Sequence, residues 1–183
     1  MHTQTFEIQT MNEREDLRKL TLADGVVVPV RMIRPDDAPA LQRLHSRLSA
    51  ESIRLRFFGR MKELPARKAK YFAHVDGLNS FALVALDPTE HDELIAVVRF
   101  DCEEGTDKAE YAALVEDRWQ GRGLGLGMTR QLIDEARDRG IHYFYGLVMP
   151  ENRRMLKLLR SLNLPERERR DGGTKYVEVE LVA

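Results

Sequence analysis

Along this chain the apolar positions switch between two periods, and each switch marks a boundary between elements. From Gly25 the run VVVPVRMI reads as a strand, with Pro29 pointing to an edge position or a bulge because proline has no amide to give a ladder. Arg34-Pro35-Asp36-Asp37 then opens a helix: proline suits a first turn, the two carboxylates favour its positive end, and Leu41, Leu44 and Leu48 form the apolar stripe. Ser49 stands where a cap is needed for a second helix, ESIRLRFF, which Gly59 ends. A third short helical pattern covers Ala66 to His74.

After Asp76-Gly77 the pattern becomes that of strands. Ser80 to Asp87, Glu93 to Cys102 and Glu110 to Glu116 are apolar runs at hairpin spacing, which predicts an antiparallel meander. Helical spacing returns with Leu126, Thr129, Leu132, Ile133 and Ala136, and Gly140 stops that helix. The next apolar strand, Ile141 to Val148, is reached by a helical crossover and is therefore expected to run parallel to the Glu110 strand. Asn152 to Leu162 forms one more helix, and after the turn Asp171-Gly172-Gly173 the alternation of Val177, Val179 and Leu181 marks a last strand. The charge run Glu166 to Arg170 reads as a solvated edge without a function of its own.

This order predicts an α/β (α+β) protein: a mixed, mostly antiparallel sheet with helices on both faces, in a single domain over residues 21–183. Residues 1–20 are polar and aperiodic, an N-terminal segment free to fray or to pack as an accessory piece. Composition narrows the setting. With 43% hydrophobic and 32% charged residues and a formal net charge of −1, nothing in the whole-chain balance attracts nucleic acid or an anionic membrane. Cys102 is the single cysteine, so no internal disulfide or cysteine metal cluster is expected. The five histidines are scattered without metal-ligand spacing. No apolar run is long enough for a membrane span and the polar start lacks a signal-peptide core, so a cytoplasmic setting is expected.

The densest chemical signal is Trp119-Gln120-Gly121-Arg122-Gly123-Leu124-Gly125-Leu126-Gly127, at the junction of the Glu110 strand and the following helix. A helix start has unpaired N–H groups and partial positive charge, and glycines there let an anion approach the backbone. The competing reading is a tight strand-to-helix turn. A Walker loop is ruled out because no lysine lies between Gly121 and Gly140. The dinucleotide fingerprint fails because Leu126, Met128 or Arg130 occupies the place of its last glycine.

Gln120, Gly123 and Gly125 meet the pattern Gln/Arg-x-x-Gly-x-Gly/Ala, and most of the chain resembles the GNAT superfamily of N-acetyltransferases. At finer grain, IRPDDAPALQRLHSRLSAESIRLRFFGR and AEYAALVEDRWQGRGLG resemble the catalytic domains of the Pat family of bacterial protein lysine acetyltransferases. The resemblance implies the GNAT fold and acetyl-CoA as co-substrate, its pyrophosphate held by backbone amides of Gln120, Gly121, Arg122, Gly123, Leu124 and Gly125. It implies that Leu114 and Val115 border the thioester, the amide near Val115 polarising its carbonyl, and that Asn152 bonds the pantetheine arm. Asn152 is equally a helix cap.

Amine acetylation needs a neutral nitrogen, and deprotonating a lysine of pKa near 10.4 at pH 7 costs about 4.6 kcal/mol. Glu110 shares a strand face with Ala112 and Leu114 and is placed to act as base; otherwise it is a solvent-facing glutamate. The Pat resemblance favours the base, because Ala109-Glu110 matches that family's Ala-Glu motif. Glu116 and Asp117 read as the polar entry of the loop. Leu159 stands where many GNAT enzymes carry a tyrosine general acid, so the leaving thiolate must be protonated from elsewhere or leave as such. Tyr71, Phe57 and Phe58 fall where the acceptor wall is expected, although core packing explains them as well. Direct transfer to an amine, preferentially a protein lysine, is the leading expectation. Acetylation of a small amine, for which Asp101 to Glu104 could supply a polyamine site, and a non-catalytic acyl-CoA-binding module are the alternatives.

Overall fold

A computed structural model describes residues 17–182. The strands are β1 (Arg18–Thr21), β2 (Val27–Met32), β3 (Ser80–Leu86), β4 (Leu94–Cys102), β5 (Lys108–Val115), β6 (Tyr143–Val148), β7 (Glu166–Asp171) and β8 (Thr174–Glu180). The helices are α1 (Ala38–Ser46), α2 (Ala50–Phe57), α3 (Ala66–Ala73), α4 (Leu124–Asp138) and α5 (Arg153–Arg160). Single turns of 3-10 helix, Pro35–Asp37 and Asp117–Trp119, precede α1 and α4.

The strands form one sheet in the order β1-β2-β3-β4-β5-β6-β8-β7. All neighbours are antiparallel except β5 and β6, the pair joined by the α4 crossover. The central strands carry almost unbroken apolar runs because both sheet faces are covered. On β3, Phe81, Leu83 and Ala85 enter the core under α4 and α5, while Ala82, Val84 and Leu86 enter the core under α1 and α3. The first core holds the rings of Phe81, Phe100, Tyr111 and Phe144 in a contiguous stack. The second is aliphatic, with Leu41, Leu44, Ala69 and Ala73 on the helix side.

Two edges differ from the sequence expectation. Residues 18 to 20, assigned to the polar N-terminal segment, belong to β1, which pairs with β2 from Arg18↔Val30 to Thr21↔Val27. The remainder of the expected N-terminal segment, residues 1–16, lies outside the described residues. Pro29 is therefore one strand in from the rim, and β3 pairs with β2 only from Val30 onward. At the opposite rim the Glu166–Arg170 run is an edge strand, β7, with charged side chains along its length. Such an edge deters a further strand from pairing.

Candidate active site

The sheet opens at its centre. β5 and β6 pair only from Lys108↔Tyr143 to Glu110↔Tyr145, and beyond Glu110 they separate while β5 stays on β4 as far as Ala96↔Val115. A cleft of about 470 Å³ fills the gap, lined by the β5 stretch from Glu110 to Val115, by Gly146 to Val148 of β6, and by the loop ahead of α4. The amide of Glu116 bonds to Ile95 O on β4 at 2.9 Å, so by alternation the Val115 amide points away from β4, toward the parted strand.

The glycine loop supplies the cleft's donors. Gln120 N is engaged by Asp117 O at 3.2 Å, but among the described residues the amides from Gly121 through Leu126 have no backbone partner. The first that does is Gly127, bonded to Gly123 O at 2.9 Å. Gly121 and Gly123 sit at φ of +74° and +89°, conformations that side chains rarely adopt and that turn successive N–H groups into one concavity. Gly125 and Gly127 have a different reason for lacking a β-carbon. Added Cβ atoms there would lie 3.1 Å from Leu158 Cδ1 and 2.6 Å from Leu20 Cδ1, so these two glycines let α5 and β1 close on α4.

Side chains hold that loop rigid. Gln120 Nε2 donates to Val115 O at 2.9 Å and to Ser52 Oγ at 3.2 Å, and Arg154 donates to Gln120 Oε1. Glu116 and Asp117 are not the polar entry that their position suggests. Glu116 is buried, accepting from Arg47 at 3.0 Å and Arg118 at 2.5 Å. Asp117 accepts from Ser49 N (3.0 Å), Ser49 Oγ (2.7 Å) and Ser52 Oγ (2.8 Å). Burial alone would raise the Asp117 pKa, but these hydrogen bonds hold it below the ordinary value. The start of α2, capped by Ser49 through Ser52 N at 3.1 Å, is thereby tied to the loop.

The expected chemical groups are placed as follows. Glu110 is exposed, lies where β5 and β6 part, and stands directly opposite Asp101 on β4. Asp101 is neutralised by Arg99, whose Nε and Nη2 reach it at 2.9 and 2.8 Å, whereas Glu110 has no hydrogen-bond partner among the described residues. Leu114 packs with the aliphatic core and Val115 with the ring core, so the end of β5 presents opposite faces to the two walls. Asn152 Oδ1 accepts from Met155 N at 3.1 Å, which is the cap, while its side-chain amide lines the cleft without a further partner among the described residues. Leu159 is buried against the ring core at the edge of the cleft, and its side chain has no proton to give. Phe58 borders the cleft and is exposed; Tyr71 is exposed and stands outside it. Trp119 is buried under the Arg122 guanidinium, whose Cζ lies 4.3 Å from the ring centroid.

Sequence reasoning missed Arg56. It reaches the same cleft from α2, and its pattern within ESIRLRFF gives no hint of that. Among the described residues no cluster of three or more His, Cys, Asp or Glu could hold a metal ion, and no helix is long and apolar enough to cross a membrane.

A mixed sheet parted between its parallel central strands, with free amides at the start of the crossover helix, is the arrangement of an acyl-CoA-dependent acetyltransferase. The chain belongs to the GNAT family: the acetyltransferase (GNAT) domain profile matches residues 28–164. An acetyltransferase of Pseudomonas aeruginosa is 32% identical over 161 residues, covering 86% of this chain and 85% of that one. The GNAT domain of S. lividans PAT superposes with a TM-score of 0.83 at 30% identity, over 91% of this chain and 97% of that one. An acetyltransferase structure from Salmonella typhimurium that contains acetyl-CoA has the same fold, with a TM-score of 0.66 at 17% identity over 85% of this chain and 95% of its own.

Proposed function

We propose that this protein transfers an acetyl group from acetyl-CoA directly to an amine, with a protein lysine side chain as the preferred acceptor and Glu110 as general base. The observation that carries the reading is the position of Glu110. It is an unpaired carboxylate at the point where β5 leaves β6, on the strand whose other end opens onto the unpartnered amides. In this reading the amides from Gly121 to Leu126 hold the cofactor's pyrophosphate at the positive end of α4, and the free amide group of Asn152 bonds its pantetheine arm. The acceptor ammonium gives a proton to Glu110, directly or through one water. The freed nitrogen then attacks the thioester carbon while the Val115 amide stabilises the charge on its oxygen. The C–N bond forms, the nitrogen loses its second proton to solvent and the C–S bond breaks, leaving a neutral amide. CoA departs as a thiolate that takes a proton from solvent, and Glu110 returns its own proton there.

The lysine preference is supported by the likeness to Pat catalytic domains and by the exposed Phe58 and Leu147, which give the rim of the cleft an apolar surface for a polypeptide. The free, partly buried Cys102 suits a reducing cytoplasm. The test is incubation with acetyl-CoA and host lysate, followed by mass mapping of acetylated lysines and acetylated metabolites. New acetyl-lysines sustain the proposal; acetylated small amines alone replace the acceptor; no acetylated product of either kind leaves an acyl-CoA-binding module.

A further inference from the structure

Among the described residues, Arg31, Arg47 and Arg99, all partly or wholly buried, are tied to carboxylates or carbonyls. Arg31 makes a two-pronged pair with Asp37 at 2.7 and 2.8 Å. Arg47 reaches Glu93, Glu116 and Leu94 O, and Arg99 reaches Asp101 and Phe72 O. Arg56 is partly buried as well, yet among the described residues it has no hydrogen bond and no ion pair. Its guanidinium lies over Phe57, with Cζ 5.2 Å from the ring centroid, and it borders both the main cleft and a small cavity behind it. Burial pushes its pKa below the usual arginine value, and the Arg99 charge adds to that, against the opposing pull of Glu110 and Asp101. A guanidinium has five donors in a flat fork that matches a carboxylate, and those of Arg56 open on the cleft with no protein acceptor among the described residues.

Packing does not require such a residue. Position 56 lies in the last turn of α2, between Leu55 and Phe57, where an apolar side chain would cover the same surface without leaving donors unmatched. The α2 wall faces the side of β5 that carries Glu110, Ala112 and Leu114, because Leu114 joins the aliphatic core together with Ile53 of α2. Arg56 and Glu110 thus offer one cation and one anion to the same part of the cleft without being joined to each other.

We propose that Arg56 is an anion subsite on the acceptor side of the cleft, recognising a carboxylate carried by the same molecule that presents its amine to Glu110. The assignment of that molecule as acceptor rests on the transferase reading; the binding of a carboxylate at Arg56 does not. A carboxylate near the target amine can come from an acidic residue beside a lysine or from the α-carboxylate of a free amino acid, and both place an anion and an amine in one ligand.

Two measurements test this. In the first, kcat/KM is compared within matched acceptors that differ only in the anion: lysine peptides with Glu or Gln beside the lysine, and amino acids or their carboxamides. The carboxylate member of at least one pair is expected to be favoured by about tenfold or more, the scale of a charge-assisted hydrogen bond. That preference should vanish in Arg56→Gln and persist in part in Arg56→Lys. The favoured pair distinguishes the peptide source from the free amino acid. Equal rates within every pair, or a preference unchanged in Arg56→Gln, overturn the proposal.

In the second, the Arg56 Nε–H resonance, assigned by its loss in Arg56→Lys, is followed as N-acetylglutamate is added to wild type and to Glu110→Gln. Saturable movement in both is expected, and its absence in both overturns the subsite whatever the rates show. Movement without turnover on any acceptor keeps the subsite and sinks the transferase reading. Unchanged CoA binding by calorimetry shows that the variants are folded.

Discussion

The two walls of the cleft are built on opposite plans. On the loop between β5 and α4 the side chains are engaged, Glu116 by two arginines, Asp117 by two serines and Gln120 by a carbonyl, and the backbone amides are free. On the facing wall the backbone is closed into α2 and, on its β4 side, into β5, and the side chains of Arg56 and Glu110 are free among the described residues. Backbone donors fixed by paired side chains suit a ligand group that never varies. Free side chains suit a group that must be chosen or must exchange a proton. In the proposed reaction the pyrophosphate and the acceptor amine are such groups.

If the facing wall carries the proton transfer, Glu110→Gln should lower turnover by about 10²-fold to 10⁴-fold, the range for loss of a general base, with CoA affinity little changed. Steady-state kinetics beside calorimetry checks it, and a variant of full activity would break the contrast. On the loop wall, Asp117→Asn should cost about 2 kcal/mol, because hydrogen bonds to a charged acceptor are lost from both ends of the α2 anchor. The sign with pH follows from the lowered pKa. The stability that Asp117 confers is complete above its reference value of 3.8 and disappears as pH falls through the depressed folded value. Urea midpoints of wild type and variant should therefore differ at pH 7 and converge in strong acid. Gly123→Ala places a side chain at φ +89° and should cost about 1–2 kcal/mol, with weaker CoA binding as the amides shift. Far from both walls, Glu168→Gln removes exposed pairs with Arg160 and Lys175 and should change stability by less than about 1 kcal/mol.

The same contrast explains what could be read from the sequence. A wall that works through its backbone must advertise itself in glycines, and Gly121 and Gly123 do so in a short window, with Gly125 beside them for packing. Even there, the free amides begin at Gly121 and not at Gln120, because the 3-10 turn uses the Gln120 amide. The buried strands were legible because both of their faces are covered. β1 was not, since Leu20 is the only apolar residue in RKLT, and β7 was readable only as a solvated edge because its alternating residues are charged on both sides. Glu116 and Asp117 looked like loop surface because, Arg118 apart, their partners lie 65 to 69 residues upstream, a proximity that only the fold creates. Arg56 has the same cause: in a helix with a second arginine two positions away, Arg54, nothing local separates the one that lines the cleft.

The missing β-carbon at residue 127 also sets how closely the outermost described strand rests on α4. Leu20 can lie across α4 only because that position is bare, so β1 works as a latch whose keyhole is a single glycine. A β-carbon there would meet the flexible end of the Leu20 side chain, so the leucine would swing aside while β1 keeps its ladder with β2.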